Sequence, residues 1–219
     1  MSTTLTVPRA VPDRTRRLLA TAAVPLAAAG PLAVAALRGV LPYSTTDDTA
    51  TMLARSVASP GAASAVVWLG AVAILTMPLG VLVAGRTAIG NRPTLGLVAA
   101  VVAWLGFGSI AVLTGVDQVL AVAPNGSAAL VDAINGQPAV AAATTLFVVG
   151  HILGGVLLGI AVWGAVPKWA AVALAVSQPL HLVAAVVLGN HPLDALAWAL
   201  TAVGFAAAAV AWRRSVVTP

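Results

Sequence analysis

The chain has 219 residues, of which 60% are apolar and only 8% are charged, and its mean hydropathy is +1.02. More than half of the residues of a small soluble domain touch solvent, so this composition excludes a water-soluble enzyme and a disordered chain. The absence of cysteine excludes disulfide scaffolds and thiolate metal sites. The net charge of +5 comes from bases at the ends of apolar runs, a pattern that indicates membrane topology and not nucleic-acid binding.

Six apolar runs have the length of about 20 residues that a helix needs to cross the hydrocarbon core of a bilayer. They cover residues 18–40, 62–85, 94–116, 140–163, 169–188 and 193–212. The runs are continuous and lack the alternation of a membrane β-strand. The sequence therefore predicts an all-α integral membrane protein, with one six-transmembrane-helix bundle over residues 18–212. A basic N-terminal tail over 1–17 precedes it, and a short C-terminal tail over 213–219 follows it.

The distribution of basic residues between the loops predicts the orientation of the bundle. With the N-terminus in the cytoplasm, the cytoplasmic segments carry nine bases and one acid, whereas the external segments carry two bases and five acids. This asymmetry follows the positive-inside rule and places both termini in the cytoplasm. The cytoplasmic turns, over residues 86–93 and 164–168, are short. The Ala-, Val- and Gly-rich composition, with Arg preferred over Lys, is typical of a protein of the bacterial cytoplasmic membrane.

Two external connections are longer than the cytoplasmic turns. Residues 42–61 contain Asp47 and Asp48 ahead of a short apolar pattern, and such N-cap residues predict a short helix there. Residues 119–139 contain a second short amphipathic segment, over 128–134. The sequence thus predicts two small helices outside the membrane on the external side.

Two histidines lie within the predicted spans, where an ionisable side chain is expensive and indicates a functional site. At 1.5 Å per residue, His151 lies roughly 16 Å and His181 roughly 11 Å from the external ends of their helices. A tight turn joins these helices, so they should pack as antiparallel neighbours with both imidazoles in the outer half of the bilayer. His191 and Asp194 lie at the external mouth of the last span, and Asp117 ends the third span on the same side.

The fifth span is the most polar, because Ser177 and Gln178 precede His181 within about one turn. Trp198 and Thr201 of the last span share a helix face with Asp194. We predict that a small ligand is bound or transported in a polar cavity in the outer half of the bilayer. The candidate ligand-binding residues are His151, Ser177, Gln178, His181, His191 and Asp194.

Other interpretations of the histidines stay open at this point. His151 and His181 are suited to ligate a b-type haem axially or, with Asp117 or Asp194, to hold a divalent metal ion in a membrane redox enzyme. Alternatively, neutral imidazoles form hydrogen bonds with hydroxyl or carbonyl groups of neighbouring helices and have a structural role.

The fourth span contains two small-residue motifs that allow helices to pack closely. Their glycines are Gly150, Gly154, Gly155 and Gly159. The motifs predict a tight helix–helix contact, either within the chain or with a second copy or a partner membrane protein. If the contact is with a partner membrane protein, the chain would be an accessory subunit of a larger membrane complex.

Overall fold

The computed structural model describes residues 13–124 and 126–217, which form nine α-helices and one π-helical segment. The elements in chain order are α1 (Asp13–Val40), α2 (Thr49–Ala58), α3 (Pro60–Asn91), α4 (Pro93–Gly108), α5 (Ile110–Val122), α6 (Ala128–Asn135), α7 (Pro138–Ala161), α8 (Lys168–Leu182), the π-helical segment Val183–Val187 and α9 (His191–Val217). Of the predicted N-terminal tail, residues 1–12 lie outside the described part, and α1 already begins at Asp13.

Six helical stretches are long and apolar enough to cross a membrane. They are Arg14–Val40, Pro60–Asn91, Pro93–Val122, Pro138–Ala161, Lys168–Val187 and His191–Val216. Each stretch corresponds to one predicted span, so the all-α architecture with six such helices is confirmed. The third stretch is divided at Ser109 into α4 and α5, where the Ser109 hydroxyl donates to the Leu105 carbonyl at 2.8 Å.

Some helices extend further than predicted, and prolines determine where they end. The predicted turn over residues 86–93 is wrong, because α3 continues to Asn91 and only Arg92 separates it from α4. Pro93 disfavours a helical conformation at Arg92, which adopts φ −140° and ψ 87°. The length of an apolar run predicts the part of a helix that crosses the bilayer. The helix itself continues through polar residues beyond the bilayer until a residue such as proline ends it.

The membrane helices form a closed ring in the order α1, α3, α4, α7, α8 and α9. The packing of α9 against α1 brings the first and last helices together and closes the ring. Large side chains of the core are fully buried, among them Met77, Phe107, Trp198 and Phe205. The ring therefore has a packed interior in which any polar side chain must find its partners on neighbouring helices.

The four glycines of α7 face neighbouring helices of the same chain. A Cβ atom on Gly150 would lie 2.7 Å from the Cα of Gly106 in α4, and one on Gly159 would lie 2.6 Å from the backbone nitrogen of Ala175 in α8. Gly154 has a similarly close neighbour in α4. These glycines therefore provide internal contacts and no surface for the predicted oligomer or partner protein, which stays a prediction.

One end of the bundle, which we call the cap end, holds the two short helices that the external connections predict. Asp48 caps α2 by accepting a hydrogen bond from the backbone N–H of Thr51 at 2.7 Å. The Asp48 side chain is exposed to solvent, and this hydrogen bond lowers its pKa. Thr49 of α2 donates to Asp132 of α6. An apolar cluster that includes Leu53 of α2 and Val131 of α6 joins both helices to the bundle. The two short helices are confirmed.

The opposite end, which we call the basic end, holds the charged residues Arg86, Arg92, Lys168, Arg213 and Arg214. Arg16 of α1 and Ser215 of α9 line one cleft there, so the first and last helices have their outer ends on the same side. This arrangement agrees with an even number of crossings. The side of the membrane that each end faces remains the prediction of the positive-inside rule.

Candidate functional site

A layer of polar side chains crosses the bundle interior in the half nearest the cap end. It joins α1, α7, α8 and α9. We call it the polar layer, and its members are Arg38, His151, Ser177, Gln178, His181, Asp194, Trp198 and Thr201.

Asp194 connects α1 to α8 within the polar layer. Gly189, at φ +57°, reverses the chain before α9, and the side chain of Asn190 accepts from the Leu193 backbone N–H at 2.9 Å. This turn places Asp194 in the first turn of α9 at 2% exposure. Its two carboxylate oxygens contact Arg38 of α1 and His181 of α8. The pairing offsets part of the free energy that either charge alone would lose in a low-dielectric interior.

The Nδ1 atom of His181 has two polar neighbours but can form a good hydrogen bond to only one of them. Besides Asp194, the indole Nε1–H of Trp198 lies 3.1 Å from Nδ1. If Nδ1 carries a proton, it donates to Asp194; if it does not, it accepts from Trp198. The ring nitrogen of His181 that carries the proton therefore decides which α9 side chain Nδ1 binds.

His151 lies among aromatic rings and next to His181. Its ring centroid is 5.4 Å from that of His181, 4.2 Å from that of Phe147, 5.8 Å from that of Phe107 and 5.9 Å from that of Trp198. Nδ1 contacts the backbone carbonyl of Phe147 one turn earlier. A carbonyl only accepts, so Nδ1 carries the proton and Nε2 of the neutral ring is left as a bare acceptor.

A short chain of hydrogen bonds lies alongside the histidines. The Gln178 side-chain N–H donates to Thr201, the Thr201 hydroxyl donates to Ser177 at 2.9 Å, and the Ser177 hydroxyl donates to the Leu174 carbonyl at 2.9 Å. Each hydroxyl in this chain donates to an acceptor. The Gln178 carbonyl oxygen Oε1, however, is buried without a partner among the described residues, and so is Nε2 of His151.

These two unpartnered atoms are close in height along the bundle. A Cβ atom on Gly155, one helical turn from His151 in α7, would lie 2.8 Å from Cγ of Gln178. Gln178 in turn precedes His181 by one turn of α8. The polar layer therefore contains two acceptors that lack donors, on the facing helices α7 and α8.

A second acidic group lies between the polar layer and the cap end. The Tyr43 hydroxyl donates to Asp117 of α5 at 2.6 Å, and Asp117 lies within electrostatic reach of Arg38. Burial and the adjacent Asp117 raise the pKa of Tyr43 well above its ordinary value, so the phenol stays protonated and donates. The Thr45 hydroxyl donates to the Ala185 carbonyl of the π-helical segment at 3.1 Å. The chain after α1 therefore closes over this part of the bundle.

The structure brings together five of the six predicted ligand-binding residues. They are His151, Ser177, Gln178, His181 and Asp194. His191 begins α9, and within the described residues no hydrogen bond, salt bridge or ring contact joins it to the others. The members pack against one another and do not surround an open cavity, since His151 is 1% and Gln178 0% exposed.

The sequence prediction missed Arg38 and Tyr43. Arg38 lies two residues before the end of α1, and the count of loop charges treats it only as an external charge. Arg38 lies inside an apolar run, at the end where Asp194 begins the last span. This position in the sequence could have indicated that Arg38 belongs to the site. Tyr43 had no comparable signal, because a tyrosine beyond a membrane helix is ordinary at an interface.

The residues around His151 do not fit a haem. Phe147 stacks on one side of the imidazole and Trp198 is nearly parallel to it, at an interplanar angle of 11°. The ring centroids of His151 and His181 are only 5.4 Å apart, which leaves no room for a porphyrin and its iron between the two imidazoles. Among the described residues, no group of three or more His, Asp or Glu side chains has the arrangement of a metal site.

Comparison of the chain with protein-family models, with curated proteins and with solved structures finds no match. A function must therefore be argued from the polar layer and its surroundings alone.

Proposed function

We propose that this multi-pass membrane protein binds a small, cationic hydrogen-bond donor in the polar layer. The ligand class is a small amine in its ammonium form. The binding residues are the five predicted residues that the structure brings together, with the addition of Arg38, Trp198 and Thr201.

The observation that supports this proposal is the pair of buried acceptors without donors, Nε2 of His151 and Oε1 of Gln178. A buried acceptor without a donor costs about 1–3 kcal/mol, and the hydrocarbon core supplies no water to replace the missing bond. The side chains of the polar layer pack without an open cavity, so a ligand must separate them to enter, and its N–H groups would then supply the missing donors. A ligand that only accepts would satisfy neither.

The carboxyl groups near the polar layer favour a cation. Two of them, those of Asp117 and Asp194, lie there with one guanidinium group, that of Arg38. A carboxylate attracts an ammonium ion strongly where the dielectric constant is low. An ammonium ion therefore gains from both the acceptors and a nearby carboxylate, and it suits this site better than a neutral alcohol.

Thermal unfolding of the detergent-purified chain tests the proposal. Ammonium and methylammonium chloride should raise the melting temperature with increasing concentration, because a ligand of the folded state stabilises it, whereas sodium chloride of equal ionic strength should not. Gln178→Leu and His151→Phe keep the side-chain volume but remove the acceptors, and both should abolish the shift. Thr114→Val, which removes a buried hydroxyl bonded to its own helix in α5, is the matched control and should retain it.

Two results would overturn the proposal. One is an equal shift with ammonium and sodium in the unmodified protein, which would indicate a general salt effect. The other is an ammonium shift that survives both acceptor-removing variants, because the ligand would then bind elsewhere. If the shift is confirmed, uptake of methylammonium into proteoliposomes distinguishes a carrier from a protein that only binds.

A further inference from the structure

A cleft of about 660 Å³ opens at the basic end, between the start of α1, the end of α3 and the end of α9. Its volume lies within the range of about 300–1,000 Å³ that small-molecule sites occupy. It is far from the polar layer, at the other end of the same helices. The residues that line it include Arg16, Arg86, Thr87, Gly90, Asn91 and Trp212.

The cleft has a strongly positive lining. Arg16 and Arg86 reach it from different helices, and no described side chain that lines it is acidic. Neither arginine forms a salt bridge within the described residues, whereas Arg38 and Arg55 at the cap end are paired with Asp194 and Asp47.

The neutral polar side chains Thr87 and Asn91 of the cleft already donate hydrogen bonds within the protein. The Thr87 hydroxyl donates to the Ala208 carbonyl at 2.9 Å. The Asn91 side-chain amide donates to the carbonyls of Ala161 and Trp163 at 2.8 and 2.9 Å. The charged donors that remain for a ligand are the two guanidinium groups, whose planar arrangement of N–H groups matches two oxygens of a phosphate.

The shape of the cleft also leaves room for a ligand. A Cβ atom on Gly90 would have no neighbour within 4 Å, and Ala165 and Ala211 contribute only small side chains to the lining. Trp212 lies among the lining residues at the end of a membrane helix, the level at which indole rings meet lipid headgroups.

We propose that this cleft binds a phosphate-bearing anion, either the headgroup of an anionic phospholipid or a soluble phosphate of the same chemistry. The proposal is independent of the polar layer and of the ligand proposed there. Its basis is the convergence of two unpaired arginines on an open cleft that lacks described acids. Basic pockets between membrane helices are suited to such headgroups.

Lipid binding by the full chain tests this proposal. The purified protein is reconstituted in phosphatidylcholine nanodiscs, and its melting temperature is measured with added phosphatidic acid, phosphatidylglycerol or inorganic phosphate. Stabilisation by the anionic lipids alone identifies a lipid headgroup as the ligand, and stabilisation by inorganic phosphate identifies a soluble source. If none of the three stabilises the protein more than additional phosphatidylcholine or chloride, the proposal is wrong.

Three variants separate a shaped site from general attraction. Arg86→Gln should weaken binding about fivefold, the effect of one basic residue near an anionic surface. Arg92→Gln removes the same charge from the same end but does not line the cleft, and it should bind as the unmodified chain does. Gly90→Leu keeps every charge and fills the cleft, so it should lose binding. Equal losses with Arg86→Gln and Arg92→Gln, together with unchanged binding by Gly90→Leu, would show only general attraction.

Discussion

The contact between Arg38 and Asp194 makes each residue depend on the other. Both side chains are largely buried, at 13% and 3% exposure. Removal of one partner from a buried ion pair leaves the other charge without compensation, whereas removal of both leaves no charge to compensate. The consequence is a non-additive response to mutation, which exposed ion pairs do not show.

We expect Arg38→Gln and Asp194→Asn each to lower the free energy of unfolding by about 3–5 kcal/mol. The double variant should recover a substantial part of that loss. Arg55→Gln is the control, because its pair with Asp47 is half exposed and should contribute about 0–1 kcal/mol. Reversible unfolding in mixed detergent micelles gives the four values, and additive losses in the double variant would refute the coupling.

For individual residues, the sequence predicts the depth of a side chain in the membrane better than the neighbouring helix that it faces. The rise per residue fixes how deep His151 and His181 lie, and their rings do meet at 5.4 Å between centroids. The rotation of each helix about its axis is set by packing. The sequence therefore did not show that Arg38 of α1 would face Asp194 of α9, since the helices are distant in the chain and nothing in their local pattern records that they are neighbours.

Among the elements, α4 and α7 approach each other most closely where both have glycine. A Cβ atom on Gly106 would lie 2.1 Å from the Gly150 carbonyl carbon, a distance that requires the helices to separate. Association of membrane helices depends on such close packing, because lipid tails are as apolar as the side chains they would replace.

Gly106→Ala should therefore destabilise the protein and lower its melting temperature, because the two helices must move apart. Gly108→Ala, one half-turn further along the same helix, meets nothing within 4 Å. Because alanine favours a helix over glycine, that variant should be neutral or more stable by roughly 0.5–1 kcal/mol. Thermal unfolding of both proteins in one detergent makes the comparison, and equal stability of the two variants would contradict the role of the close contact.

Element boundaries show where sequence patterns stop being informative. The short helices α2 and α6 were predicted because an N-cap aspartate and an amphipathic pattern are local signals. The extension of α3 to Asn91 was not, since apolar length measures the bilayer crossing and not the helix. Likewise the glycine motifs of α7 predict a close contact but do not identify the helix on the other side, and the structure shows that α4 and α8 fill that position.

For the whole molecule, charge separates the two ends of the ring. The described aspartates with known contacts, Asp47, Asp117, Asp132 and Asp194, lie in or near the cap half, and Arg86, Arg92 and Lys168 lie at the basic end. In a bacterial cytoplasmic membrane, the positive-inside rule then predicts that the basic end faces the cytoplasm.

Because the chain contains no cysteine, a thiol reagent labels it only at a cysteine introduced by mutation. Single-cysteine variants therefore report the orientation. In intact cells, a membrane-impermeant maleimide should label Ala129→Cys on exposed α6 and should not label Thr94→Cys at the exposed start of α4. After the cells are opened, both should react. The reverse pattern in intact cells would mean that the cap end is cytoplasmic.

The closure of the ring between α1 and α9 has a consequence for biosynthesis. The helix that carries Arg38 leaves the ribosome well before α9, which carries its partner Asp194. At about 5–20 residues per second, the arginine waits roughly 10–30 s for its counter-charge. During that interval the translocation machinery or the headgroup region must hold the unpaired guanidinium. A nascent chain that stops before α9 keeps this unpaired charge, which distinguishes it from the finished protein for membrane quality control.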